Sequence, residues 1–281
     1  MEKQHTVAQS VQFNGITLHM GVRATLRINP GEIDSGIWFR RIDVAGAPMV
    51  KAVATNVVDV RRGTTIASGN AAVATVEHVM SALHAAGIDN AVVDMDGPEP
   101  PILDGSSIKF FEGILNAGIV EQDAEAKFFR PSSPLFVENG GTQVVILPGN
   151  EELKISCTAS FANCPFDPQF FSLSVNKESF HSEIAPARTF VDYRDLKQLL
   201  AMGLIKGGSL DNAAILNNGA IICKEKLLWH NEIVRHKILD LIGDLYLCGH
   251  RVKASVIAVK PGHPSNVALA QKMIAQMNGN I

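Results

Sequence analysis

The chain has 281 residues, 46% of them hydrophobic and 19% charged, with 25 Lys and Arg against 28 Asp and Glu. So apolar a chain with a net charge of −3 is not a disordered one, and the missing basic excess argues against a nucleic-acid partner. No apolar run reaches the ~18 residues of a membrane span, so a soluble, cytoplasmic protein of one large or two ordinary domains is expected, with no stable membrane insertion.

The start, Met1-Glu2-Lys3-Gln4-His5, leads into no apolar segment of a secretory signal. Short strand patterns follow at Gly15–His19, Ala24–Ile28 and Gly36–Arg41, punctuated by Asn14-Gly15 and Asn29-Pro30-Gly31. A helix is predicted from near Thr75, as its N-cap, to Gly87, with Val76, Val79, Met80 and Leu83 inward. The strand Ala91–Met95 and a second helix from Ser106 or Ser107 to Gly118 complete the first half.

The second half starts again with strands at Leu135–Val137, Thr142–Leu147 and Leu153–Cys157. It ends in helical patterns from Glu232 to Tyr246 and from Ser265 to about Met277, with the strand Val256–Val259 between them. Each half thus reads strands, helix, strand, helix. The expected fold class is α+β: two similar domains, 1–122 and 128–281, with an insertion at about 191–216 in the second. Cys157, Cys164, Cys223 and Cys248 form no CxxC and read as buried thiols of a reducing compartment.

The densest polar run is Arg235-His236-Lys237-Ile238-Leu239-Asp240-Leu241-Ile242-Gly243-Asp244. On a helix His236, Asp240 and Asp244 fall at i, i+4 and i+8, on one face. An imidazole and a carboxylate one turn apart can reach a single divalent ion; a surface His–Asp pair is the alternative. Thr75-Val76-Glu77-His78 offers a second partial site at a helix start, although Glu77 there also suits the helix dipole. Together the two runs supply two His and one Asp, the makeup of a catalytic zinc centre, with Glu77 placed to take a proton from water. His263, in the Gly/Pro loop Lys260–Asn266, is either functional or an exposed loop residue. Neither GxGxxG, nor a Walker pattern, nor GxSxG occurs, so a nucleotide cofactor or a serine nucleophile is not expected.

In order along the chain stand Thr75-Val76-Glu77-His78, Pro101-Ile102-Leu103-Asp104-Gly105-Ser106, Ala187-Arg188-Thr189-Phe190, Gly207-Gly208-Ser209-Leu210-Asp211-Asn212, the run from Arg235 to Leu245, and Gly262-His263. Together they resemble the UDP-3-O-acyl-N-acetylglucosamine deacetylase family, zinc enzymes of lipid A biosynthesis in Gram-negative bacteria. The resemblance covers about residues 5 to 275.

It implies one catalytic Zn2+ on His78, His236 and Asp240, and Glu77 as general base. It implies His263 as a protonated acid partnered by Asp244, and Thr189 at the oxyanion or the water. Phe190 and Lys237 would contact the substrate, a UDP-amino sugar with an acyl chain that runs through a passage in the insertion. The implied architecture sandwiches the helices between two sheets. The sequence departs from the family pattern at Thr17-Leu18-His19-Met20-Gly21, at Asn231–Val234 and at Pro264, and a fused dehydratase domain is not expected. Two alternatives are a zinc amidohydrolase for another acylated amino sugar and a non-catalytic sugar-nucleotide binder.

Overall fold

The computed structural model describes residues 2–161, 164 and 167–280. Two five-stranded sheets carry the fold. The first is built, in spatial order, from Val11–Ile16, Arg23–Pro30, Ala91–Met95, Ile37–Arg41 and Met49–Lys51. The second is built from Leu135–Asn139, Thr142–Leu147, Ala254–Val259, Leu153–Ala159 and Gln169–Val175. In both, the last strand in sequence enters the middle, parallel to one neighbour and antiparallel to the other. The halves therefore share one topology, which gives physical content to the repeated strand–helix pattern.

The longer helices among the described residues are α1 (Glu77–Ala86), α2 (Ile108–Asn116), α3 (Tyr193–Ala201), α4 (Glu232–Tyr246) and α5 (His263–Met277). α1 packs along α2 and α4, and α4 packs on α5. Strand alternation turns one face of each sheet toward these helices: Ala24, Leu26 and Ile28 are buried in one, Leu153, Ile155 and Cys157 in the other. Both inner faces and the helices between them form one continuous apolar core.

Each half carries a smaller sheet beside its main one. Val57–Asp59, Thr65–Ser68 and Ala71–Val73 form an antiparallel sheet ahead of α1. Thr189–Asp192, Ala213–Asn217 and Ala220–Ile222 form another around α3, whose start is capped by Asp192 accepting from the Arg194 amide at 2.9 Å. This unit covers the 191–216 segment and extends beyond it on both sides.

Three local expectations need correction. The strand expected over Gly15–His19 ends at Ile16, because the His19 and Met20 amides donate to the Glu99 carboxylate instead of to a neighbouring strand. α5 starts at His263 rather than Ser265; Ser265 Oγ accepts from the Gly262 amide and closes the turn. Cys223 is only half-buried, whereas Cys157, Cys164 and Cys248 are buried. Burial pushes the Cys157 and Cys248 thiols up to about 12, which makes both unreactive.

Candidate active site

α1 packs along α4, and the contact at its first turn builds the site. Gly243 makes the approach possible, since a Cβ there would stand 2.0 Å from the Glu77 carbonyl oxygen. The first turn of α1 therefore lies directly on the polar face of α4. Thr75 does not cap α1, as Val76 holds that position. Thr75 instead adopts a left-handed φ of 54° and donates its hydroxyl to Glu99 at 2.9 Å.

His78, His236 and Asp240 converge, each offering one ligand atom within 4.8 Å of the others. Asp240 Oδ1 lies 3.8 Å from His78 Nε2 and 3.5 Å from His236 Nε2, too far for good hydrogen bonds. His236 Nδ1 stands 3.0 Å from the Ala187 carbonyl; a carbonyl can only accept, so the proton sits on Nδ1 and the Nε2 lone pair faces Asp240. Burial, reinforced by the neighbouring imidazole of His236, pushes His78 down to about 3, and burial lowers His236 as well. Burial alone would neutralise Asp240, yet the Lys237 ammonium, 2.6 Å from Oδ2, holds its carboxyl well below the usual range. Two neutral imidazoles and an ionised carboxylate, facing one another without direct hydrogen bonds, are a donor set that could hold a divalent metal.

The acid–base candidates flank this cluster. Glu77 Oε1 and Asp240 Oδ2 each lie 4.0 Å from His263 Nε2. His263 is 8% exposed, so it is not a free loop residue. Its Nδ1 bonds to Asp244 Oδ2 at 2.9 Å. Burial opposes charging His263, but Asp244 and Glu77 outweigh it and raise the imidazole to about 9. Burial also raises Glu77 above the ordinary carboxylate range, against the pull of His263.

Thr189 and Phe190 line the cavity beside α4, the Phe190 ring 6.2 Å from that of His236. The Thr189 amide donates to Gly105 at 2.9 Å, and the Phe190 ring stacks edge-on against Phe161 at 4.9 Å. Lys237 is 5.7 Å from the Phe190 ring, pairs with Asp240 at 2.6 Å and lines the same cavity as Thr189 and Phe190. A cavity of about 340 Å³ is bounded by Glu77, His78, His236, Asp240 and His263. It shares Leu18, Arg62, Thr189 and Phe190 with a second cavity of about 290 Å³, walled by Leu196, Leu199, Ile205, Ala213 and Ile215.

Several residues that build this geometry carried no readable signal in the sequence. Glu99, with none of its surface exposed, pins the His19 loop and Thr75. Thr64 bonds to both Glu77 and Asp244. Arg188, by contrast, belongs to a motif already singled out in the sequence; it pairs with Glu232 at 2.8 Å and ties the Thr189 strand to the start of α4. Backbone proximity explains two of the motifs. A Cβ on Gly105 would lie 1.7 Å from the Asn212 carbonyl, and one on Gly207 would lie 2.0 Å from that of Thr17. The Lys206 and Gly207 amides donate to His19 and Leu18 across the same seam.

The family model described as UDP-3-O-acyl N-acetylglycosamine deacetylase matches residues 4–275. The chain belongs to that family. A UDP-3-O-acyl-N-acetylglucosamine deacetylase of Citrifermentans bemidjiense is 42% identical over 271 residues, 96% of this chain and 88% of the relative. The protein of the same description from Chlamydia pneumoniae is 41% identical over 273 residues, 96% of each chain. That from Acidithiobacillus ferrooxidans is 40% identical over 280 residues, 99% of this chain and 92% of the relative. Among the described residues no helix is long and apolar enough to cross a membrane.

Proposed function

We propose that the protein hydrolyses the N-acetyl group of UDP-3-O-(3-hydroxyacyl)-N-acetylglucosamine, releasing acetate and the free amine, the committed step of lipid A biosynthesis. His78, His236 and Asp240 would hold one zinc ion, which supplies Lewis acidity for acidifying water and polarising the acetyl carbonyl. Glu77 takes the proton of the attacking water, and its raised pKa lets it return that proton near neutral pH. His263, cationic up to about pH 9, faces Glu77 from across the site and donates to the developing oxyanion, with the Thr189 hydroxyl beside it. Breaking the C–N bond then needs a proton on the amine, from His263 or from the protonated Glu77.

Asp244 keeps the His263 ring oriented and charged. Lys237 holds Asp240 in place and, with Phe190, borders the space for the sugar nucleotide. The apolar cavity between α3 and the strand Ala213–Asn217 suits an acyl chain, whose transfer from water is worth about 0.8 kcal/mol per buried CH₂.

The convergence of His78, His236 and Asp240 with Glu77 and His263 on a cavity that adjoins this apolar one carries the reading. It is tested by measuring metal content and acetate release together for wild type and His236→Ala. About one zinc per chain, with turnover and metal both lost in the variant, is expected. Metal without turnover on the acylated UDP-sugar would overturn the substrate, and no metal in either protein would overturn the centre.

A further inference from the structure

Thr64 lies just ahead of the strand Thr65–Ser68, with none of its surface exposed. Its amide donates to Glu77 Oε2 at 3.0 Å, and its hydroxyl donates to Asp244 Oδ1 at 2.6 Å. The same hydroxyl oxygen is 3.4 Å from His263 Nδ1. Asp244 is also fully buried; its Oδ2 accepts from His263 Nδ1 and from Asn266 Nδ2, both at 2.9 Å, so Thr64 is what Oδ1 relies on.

We infer that Thr64 is a positioning residue for both members of the acid–base pair: its amide sets Glu77, and its hydroxyl sets the Asp244–His263 couple. The inference rests on the roles proposed above for those groups. Its physical basis is the cost of a buried carboxylate oxygen without a donor. Once the hydroxyl is removed, Asp244 is left with donors on Oδ2 alone, and the carboxylate turns toward them. The imidazole bonded to Oδ2 turns with it, and His263 Nε2 leaves its place 4.0 Å from Glu77 Oε1. The small sheet inserted in the first half would thus control proton transfer without touching substrate.

Thr64→Val keeps the size and the backbone amide and deletes only the hydroxyl. For the metal-loaded enzyme, kcat should fall about 10- to 100-fold while KM and metal content stay as in wild type. Thr64→Ser, which restores the hydroxyl, should recover most of kcat. In an Asp244→Asn background, Thr64→Val should cost little more, since the two act through one couple. The His263 Nδ1–H proton resonance, protected in wild type, should shift and exchange faster in Thr64→Val and return in Thr64→Ser.

A Thr64→Val enzyme with wild-type kcat and an unmoved His263 resonance would overturn the inference. So would equal losses in the Val and Ser variants, which would mark a packing role. If wild type itself releases no acetate, the proposed reaction fails, and the His263 resonance alone decides whether Thr64 sets the couple.

Discussion

His84 follows His78 on α1 by six residues and is also buried, 8% exposed, outside the His78–His236–Asp240 group. Its Nε2 accepts from the Val252 amide at 3.3 Å, and its ring meets Tyr246 edge-on at 5.1 Å. Burial, with Arg251 nearby, pushes the imidazole down to about 3. The folded-state value is below that of the unfolded chain, about 6.5, so stability from neutral His84 is complete above that pH and lost as pH falls toward 3. Urea unfolding of wild type should weaken by up to about 1.4 kcal/mol per pH unit more than that of His84→Gln between about pH 6.5 and 5. Equal pH slopes for the two proteins would refute this. Legibility also divides at the residue scale. His236, Asp240 and Asp244 could be read because helical periodicity alone puts them on one face. Thr64 and Glu99 could not: each works from an irregular segment, through a bond whose partner lies far along the chain. Thr75 has the residue type of a cap, but Glu99, 24 residues away, claims its hydroxyl.

At the scale of elements, the site depends on how closely two helices approach. A single hydrogen in place of a side chain at Gly243 lets the start of α1 rest on α4. In Gly243→Ala the added methyl meets the Glu77 backbone, which has no flexible end to swing away, so the helices must part. Overpacking of this kind costs about 1–3 kcal/mol, and metal affinity should fall with stability because His78 and Glu77 move off His236 and Asp240. Thermal unfolding and metal titration of the variant check both; an unchanged affinity would show that α1 tolerates the shift. Gly243 sits inside a helical pattern where glycine ordinarily weakens the helix by about 1 kcal/mol, and that cost was a hint in the sequence. The partner it accommodates was not legible, and neither were those of Gly105 and Gly207, since all three are contacts between distant segments. The strand order of each half was only partly visible, because the central position of Ala91–Met95 and Ala254–Val259 is a matter of pairing and not of pattern.

For the molecule as a whole, the proposed centre is a clamp between two similar halves. His78 belongs to the first, His236 and Asp240 to the second, and all three are buried in the layer of helices. An ion that binds only the folded chain adds stability by mass action, about 2.7 kcal/mol at a free concentration 100 times its Kd. Chelation should therefore lower the Tm of wild type, excess zinc should restore it, and His236→Ala should respond to neither. A Tm indifferent to chelator in metal-loaded wild type would contradict the clamp. The division of ligands also orders events during synthesis. When α1 leaves the ribosome, Glu77 and His78 stand on a helix whose partner has not yet been made, and the first half supplies only one ligand of the set. Asp240 and His263 follow only after the first strands of the second half have been made. The nascent chain is thus protected from assembling the proposed centre early, because that centre exists only once both halves are available to close around it.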